Sequence, residues 1–190
     1  MKINSQNKIA ICFDLHDTLL NSYPAWIKAF TMVTNGDLEK SEKMIEEFKK
    51  GEWKREICSR YGYTYDEVKN IYLQNVKPIY PVKKFCEMVK KNNSVYIITN
   101  ATQPRAEEDI FILGMTFEKV YTRENGIKPD KNYIKRIIKE NNLSHLIMVG
   151  NEKERDVFSL PETTSIIVNE NTSYEYLMNK YNNLINLYNR

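Results

Sequence analysis

Four short stretches hold the side chains of this sequence that could do chemistry. A carboxylate that attacks an anionic substrate needs a divalent cation and fixed hydrogen-bond donors to neutralise charge before the attack. Carboxylates, a lysine, a hydroxyl group and amides could together meet these needs. The four stretches contain all of these groups, and they are residues 14–19 (DLHDTL), Thr99 with Asn100, Lys128 with Pro129, and residues 150–156 (GNEKERD).

Several of these stretches follow apolar runs that are typical of buried strands. Residues 9–13 are almost wholly apolar and end abruptly at Asp14, as expected for a strand that is buried on both faces of a parallel sheet. Similar runs occupy residues 95–98, 146–149 and 165–168, with a weaker candidate at residues 117–121. Parallel α/β sheets place ligands at the carboxyl ends of their strands, which makes the polar stretches the candidate site.

Helical patterns alternate with these runs. Apolar residues are spaced as on one helix face in residues 82–89, 134–138 and 177–188, and a further helix is predicted from Thr102 to about Gly114. Strands that alternate with helices indicate right-handed βαβ crossovers. The predicted fold class is α/β, with a Rossmann-like doubly wound parallel sheet.

One long stretch interrupts this alternation. This stretch, residues 22–80, contains no convincing strand, and its apolar residues have helical spacing. Because it is long for a crossover, we interpret it as a small all-helical cap that is inserted after the first strand. The predicted domains are a core of residues 1–20 and 81–190 and a cap of residues 21–80.

Composition limits the classes of partner. The 28 basic and 25 acidic residues are spread along the chain without a dense basic block, which argues against nucleic acid binding. Residues 1–7 lack the apolar segment of a signal peptide, and no long apolar run predicts a membrane span, so we expect a cytoplasmic protein without membrane contact. Cys12, Cys58 and Cys86 lie far apart and are expected to be reduced core thiols.

The order, strand context and spacing of the four stretches resemble the haloacid dehalogenase superfamily over nearly the whole chain. Phosphatases of that superfamily carry a DxDxT motif, a Thr or Ser after a later strand, a Lys, and an acidic motif of the GDxxxD type. The resemblance implies a hydrolase with a small helical cap of the C1 type. Its expected substrate is a small phosphorylated metabolite, and its expected state is a monomer or a homodimer.

The resemblance also implies catalytic and phosphate-binding roles. Asp14 would be the nucleophile, forming an aspartyl-phosphate intermediate. Thr99 and the amide of Asn100 would hydrogen-bond a phosphate oxygen, and Lys128 would screen the phosphoryl charge and steady Asp14.

A magnesium site is implied beside the nucleophile. Mg²⁺ would be bound by the Asp14 carboxylate, by the main-chain carbonyl of His16, and by Asn151 or Asp156 directly or through water. Asn151 stands where the family motif usually has Asp, so the site has one negative charge fewer. We expect weaker Mg²⁺ binding unless Asp156 compensates.

His16 is the second departure from the family pattern, because most phosphatases of the family have Asp at that position as the general acid/base. Imidazole can transfer protons near neutral pH, so His16 is a candidate catalytic residue. Two alternatives remain open: a catalytically weakened protein that binds or regulates, and a hydrolase of the dehalogenase or phosphonatase type. Neither alternative requires the Asp that His16 replaces.

The remaining polar and aromatic candidates are expected to be structural. Asp17 is predicted to cap its loop, and Glu152 and Glu154 are predicted to be solvated. Five residues of the cap could reach a substrate, although packing between helices is expected for the two tryptophans and a solvated face for Lys54 and Arg55. These five are Trp26, Lys28, Trp53, Lys54 and Arg55.

Overall fold

The structure is a computed structural model that describes residues 8–188, and the expectation about residues 1–7 therefore lies outside the described residues. The chain divides into two compact units. One contains the described residues up to Leu20 and from Pro78 onward, and the other is Asn21–Lys77. Residues 78–80, which the sequence analysis assigned to the cap, belong to the first of these units.

The first unit is built on a five-stranded parallel sheet with the strand order β3-β2-β1-β4-β5. This is the Rossmann-like parallel α/β sheet that the alternating pattern predicts. The strands are β1 (Ile9–Phe13), β2 (Ser94–Ile98), β3 (Lys119–Tyr121), β4 (His145–Gly150) and β5 (Thr163–Ile167).

The strands are connected by helices, and the helices of Asn21–Lys77 form the second unit. Those between β1 and β2 are α1 (Ser22–Val33), α2 (Leu38–Lys49), α3 (Lys54–Arg60), α4 (Tyr65–Asn75) and α5 (Tyr80–Val89). Those that follow are α6 (Gln103–Leu113), α7 (Lys131–Glu140), α8 (Lys153–Asp156) and α9 (Tyr174–Tyr188).

The central strand brings the polar stretches to one edge of the sheet. Phe13 of β1 pairs with Ile97 of β2 on one side and with Val149 of β4 on the other. The main-chain N–H of Asp14 donates to the carbonyl of Val149 at 3.0 Å. The residues that follow β1, β2 and β4 therefore emerge at the same edge of the sheet, where parallel sheets place their ligands.

The core explains why these segments form strands and helices. β1 and β4 are buried almost throughout, as expected for inner strands of a parallel sheet. On one sheet face, Cys12 and Met148 pack in a cluster with Ile134 and Ile137 from the apolar stripe of α7. Gly114 ends α6 in the left-handed conformation at φ +63°, which glycine adopts without a steric penalty.

The outer strands differ from the predicted limits. The third strand was predicted over residues 117–121 but forms only at Lys119–Tyr121, and the fifth begins at Thr163 rather than at residue 165. β3 pairs only with β2, and its side chains are more exposed than those of the inner strands. Apolar runs in a sequence predict the limits of buried inner strands more accurately than the limits of outer strands such as β3.

The second unit, Asn21–Lys77, consists of α1 to α4. Trp26 is buried and stacks on Tyr72 with 4.5 Å between ring centroids, as expected for a core residue. Lys54 lies over the Trp26 ring, with Nζ 5.3 Å from the centroid. Trp53 precedes α3 and is 65% exposed, so the expectation that it packs between helices is wrong.

The cysteines are all buried and have free thiols, as predicted. Burial raises the pKa of the Cys58 thiol to about 11, which keeps this thiol protonated at neutral pH. Within residues 8–188, no helix combines the length and the apolar character needed to cross a bilayer.

His145 provides a stability prediction. Burial lowers its pKa, opposed by the charge of Glu162, and its Nε2 lies 2.9 Å from the Thr164 hydroxyl. Because the unfolded chain then binds a proton more readily than the folded one, the free energy of unfolding should fall as the pH drops below about 6.5. Urea unfolding at about pH 7.5 and pH 5.5 should show a smaller pH dependence for His145→Gln than for the wild type. An unchanged pH dependence in this variant would contradict the assignment.

Candidate active site

A buried lysine joins two of the polar stretches. Lys128, in the loop between β3 and α7, is only 3% exposed. Its Nζ lies 3.1 Å from Oδ1 of Asp14, which follows β1, and 2.6 Å from Oδ1 of Asp156, at the end of α8. Burial of an ammonium group is tolerated when carboxylates compensate its charge. Lys128 therefore fixes the spacing of the two aspartates.

Asp156 is held on both carboxylate oxygens. Oδ1 contacts Lys128, and Oδ2 accepts a hydrogen bond from the Glu152 N–H at 3.1 Å. A Cβ atom at Gly150 would lie 2.1 Å from Oδ2, so only glycine leaves space for this carboxylate. Burial raises the pKa of Asp156, while the charge of Lys128 opposes this shift.

Thr99 and Asn100 follow β2 on the other side of the nucleophile candidate. The Asn100 side chain accepts from the Lys128 N–H at 2.8 Å and donates to the Lys128 carbonyl at 3.2 Å. Both ends of this amide are thus used to hold the lysine loop. Thr99 is buried, and its hydroxyl oxygen accepts from the Ala101 N–H at 3.2 Å. The hydroxyl proton of Thr99 can therefore be donated elsewhere.

The loop after β1 turns sharply and contacts the loop after β4. Asp17 adopts the left-handed conformation at φ +55°, and its N–H donates to the Leu20 carbonyl at 2.7 Å, consistent with the predicted loop role. Thr18 is buried and donates from Oγ1 to Oδ1 of Asn151 at 3.1 Å. No pattern in the sequence predicts this link, although Thr18 is the threonine of the DxDxT-like motif.

His16 contacts a buried carboxylate that sequence reasoning missed. Its Nε2–H donates to Oδ2 of Asp109 on α6 at 2.7 Å, and the Asp109 side chain is fully buried. Arg105, one turn earlier on α6, donates from Nε to the same oxygen at 3.0 Å. In the sequence, Arg105 and Asp109 look like an ordinary surface pair at helical spacing, so no signal separates them from solvated pairs.

The structure thus brings Asp14, Lys128 and Asp156 into contact and ties Asn100 and Asn151 to the same edge. Glu152 and Glu154 are exposed, as predicted. In the part of the chain that the structure describes, no three His, Cys, Asp or Glu residues form a metal-binding group.

A family model for haloacid dehalogenase-like hydrolases matches residues 11–159, which span the four polar stretches and the sheet from β1 to β4. The chain belongs to the haloacid dehalogenase-like hydrolase family. A search of curated protein sequences found no significant match.

Several solved structures share the fold of this chain at low sequence identity. The HAD-type hydrolase YfnB of Bacillus subtilis, in a magnesium-bound form, is 15% identical with a TM-score of 0.67, and the match covers 95% of this chain and 100% of that chain. A haloacid dehalogenase-like family hydrolase of Xanthomonas campestris is 16% identical, with a TM-score of 0.65 and coverages of 98% and 96%. Phosphatase Tt82 of Thermococcus thioreducens is 14% identical, with a TM-score of 0.63 and coverages of 91% and 99%.

The lysine bridge of this haloacid dehalogenase-like hydrolase predicts a large stability effect. Lys128→Met should lower the free energy of unfolding by about 3–5 kcal/mol, because it leaves the Asp156 carboxylate buried without its counter-charge. Chemical denaturation measures this loss. Lys131→Met, at the exposed first residue of α7, should change stability by less than about 0.5 kcal/mol.

A double variant separates the charge effect from the loss of packing. Asp156→Asn removes the carboxylate charge, so adding Lys128→Met to Asp156→Asn should cost clearly less than Lys128→Met costs alone. Equal costs in the two backgrounds would contradict the charge pairing between Lys128 and Asp156.

Proposed function

We propose that the chain is a Mg²⁺-dependent phosphatase that hydrolyses a small phosphorylated metabolite through an aspartyl-phosphate at Asp14. The observation that carries this proposal is the contact of Lys128 with Asp14 at the carboxyl edge of the sheet. A buried ammonium group beside a partly accessible carboxylate is suited to a reaction in which that carboxylate meets an anion. Two proteins that share this fold support the proposal, because YfnB is bound to magnesium and Tt82 is a phosphatase.

In the first proposed step an Asp14 oxygen attacks phosphorus and the ester P–O bond breaks. The Asp14 side chain is 14% exposed, which leaves part of the carboxylate accessible, while its Oδ1 is held by Lys128. In the second step, water attacks the phosphorus of the aspartyl-phosphate, releasing inorganic phosphate and restoring the carboxylate. Lys128 offsets the negative charge that accumulates in both steps.

Thr99 and Lys128 are the proposed phosphate donors. The Thr99 oxygen already accepts from Ala101, which directs the hydroxyl proton away from that amide and toward a ligand. The side chain of Asn100 is committed to the main chain of Lys128, so we assign it the positioning of that lysine rather than direct phosphate binding through its side chain.

The charges at this edge favour a divalent cation. Asp14, Lys128 and Asp156 carry a formal net charge of about −1 when ionised, which would repel a phosphate ester. Magnesium prefers oxygen ligands and is commonly held by one or two carboxylates together with water. The Asp14 carboxylate, the His16 carbonyl and the amide oxygen of Asn151 fit this preference.

Asp156 fits a less direct role in metal binding. Both of its carboxylate oxygens are already bonded, to Lys128 and to the Glu152 N–H, and its side chain is buried. We therefore assign the direct contact to Asn151, which is only half-buried and whose side-chain oxygen accepts one hydrogen bond from Thr18 and keeps a second lone pair, and we assign Asp156 a contact through water. When bound, Mg²⁺ would neutralise phosphoryl charge during the reaction.

His16 is the proposed general acid/base. As the ester bond breaks, the leaving oxygen takes a proton from the imidazole, and the attacking water returns a proton to it in the second step. The imidazole stands two residues after Asp14, where the family motif has its second Asp. We further propose that Asn21–Lys77 is the small helical cap domain of this hydrolase.

The nucleophile is tested by Asp14→Asn. A neutral amide cannot attack phosphorus, so this variant should retain less than about a tenth of the wild-type activity, whereas Asp17→Asn should keep most of it. Asn also tolerates the left-handed conformation of residue 17. The assay is phosphate release from a panel of phosphorylated metabolites, with Mg²⁺ and with a chelator. Hydrolysis that persists in the chelator, or in Asp14→Asn, would contradict the proposal.

The role of His16 is tested by two substitutions. His16→Ala should lower kcat by about 10²–10⁴, the usual effect of a positioned acid/base, while His16→Asp, which restores the family motif, should retain or raise activity. His145→Gln is the matched control and should leave kcat unchanged. If Ala were harmless and Asp raised a near-zero rate by orders of magnitude, the chain would be a phosphate-binding protein that has lost turnover.

A further inference from the structure

The imidazole of His16 is held by a buried ion pair on a helix far away in the sequence. Asp109 is separated from His16 by 93 residues, yet its Oδ2 lies 2.7 Å from His16 Nε2. The Arg105 guanidinium contacts both oxygens of the same carboxylate, with Nε 3.0 Å from Oδ2 and Nη2 2.8 Å from Oδ1. The Asp109 side chain is fully buried, whereas that of His16 is 34% exposed.

This arrangement orients the ring. A carboxylate only accepts hydrogen bonds, so Nε2 of His16 must carry the proton in the contact with Asp109. The other ring nitrogen, Nδ1, is then the atom at which the ring can give or take a proton. The guanidinium of Arg105 in turn holds the Asp109 carboxylate, with a hydrogen bond from Nε to Oδ2 and an ion-pair contact between Nη2 and Oδ1.

Stability alone is a weak explanation for the trio. A buried ion pair typically contributes little more to folding than apolar side chains of the same size, because both charges must be removed from water. α6 could have buried an apolar residue at position 109, as it does with Ala106 and Leu113. A carboxylate at position 109 has a more specific effect. It gives the imidazole of His16, two residues from the proposed nucleophile, a defined direction and tautomer.

We propose that Asp109, supported by Arg105, is the positioning residue of the general acid/base His16. This inference rests on the proposed function and extends it to two residues of α6. As the ester P–O bond breaks, the leaving oxygen receives the proton from Nδ1 of His16. Water gives a proton back to Nδ1 as it attacks the aspartyl-phosphate. Asp109 keeps its hydrogen bond to Nε2–H throughout and gains no proton, as the orienting carboxylate does in a Ser-His-Asp triad.

Ring NMR tests the contact without reference to activity. The sequence has two histidines, so ¹⁵N-histidine labelling gives two ring systems, and His145→Gln assigns the remaining one to His16. The neutral His16 ring should be a single Nε2–H tautomer with a slowly exchanging proton, because the Asp109 carboxylate only accepts hydrogen bonds. That proton should exchange faster in Asp109→Asn. A mixture of tautomers in the wild type, or no change in the variant, would overturn the proposal.

The dependence on the leaving group tests the catalytic consequence. Phenoxide needs protonation as it leaves far more than 4-nitrophenoxide does, so loss of a positioned acid should harm phenyl phosphate hydrolysis selectively. In Asp109→Asn, kcat/KM for phenyl phosphate should fall by about 10–100-fold, and that for 4-nitrophenyl phosphate by less than about threefold. Glu107→Gln, an exposed carboxylate on the same helix, is the matched control and should leave both values unchanged.

A second variant controls for a folding defect, because Asp109→Asn removes the buried carboxylate that faces Arg105 and leaves Glu108, at 3.6 Å from Nη1, as its acidic neighbour. Arg105→Gln/Asp109→Asn removes both charges and should show the same selective loss with a folded protein. Equal losses on both esters, with the wild type active, would overturn the role of Asp109 and leave the proposed function standing. A wild type that releases phosphate neither from these esters nor from the panel of phosphorylated metabolites, in the presence of Mg²⁺, would overturn the proposed function itself, and with it the positioning role.

Discussion

The geometry of the site depends on one ammonium group buried between two carboxylates. Lys128 must be compensated where it lies, and its contacts with Asp14 and Asp156 tie the loop before α7 to the ends of β1 and α8. Two neighbours are fitted to this bridge. Asn100 holds the main chain of the lysine on both sides, and Gly150 leaves the space that the Asp156 carboxylate occupies. The contacts of Lys128 with the two aspartates therefore also constrain Asn100 and Gly150, which take no direct part in the proposed reaction.

The sequence predicts those parts of the fold that follow from burial. Inner strands such as β1 and β4 are recognisable because burial on both faces requires continuous apolar runs, and the polar residues that follow them mark the functional edge of the sheet. The edge strand β3 is predicted poorly because partial exposure removes that requirement. Trp53 was misjudged for a related reason, since a large aromatic side chain beside a helix start need not be buried.

The contacts missing from the sequence analysis are long-range ones between polar side chains. Thr18 with Asn151, and His16 with Asp109, join residues that no local pattern connects. Helical spacing of Arg105 and Asp109 predicts that the two side chains meet, but it carries no information on whether the pair faces water or the interior. Only the packing of α6 against the rest of its unit determines that Asp109 is fully buried.

These contacts change how the departures from the family motif are understood. With His16 in place of the second Asp, the loop after β1 lacks the carboxylate that the resemblance leads us to expect. Asp109 supplies a carboxylate from α6 instead, in direct contact with the imidazole. The carboxylate expected at position 16 is therefore replaced by an imidazole whose Nε2–H is bonded to a carboxylate from another element. The Asn151 side-chain oxygen instead accepts a hydrogen bond from the Thr18 hydroxyl, and Asp156, the aspartate of the same stretch, is bonded to Lys128. In the proposed function, proton transfer is therefore better preserved than cation binding, and metal affinity is the property in which this chain should differ most from phosphatases that keep both aspartates.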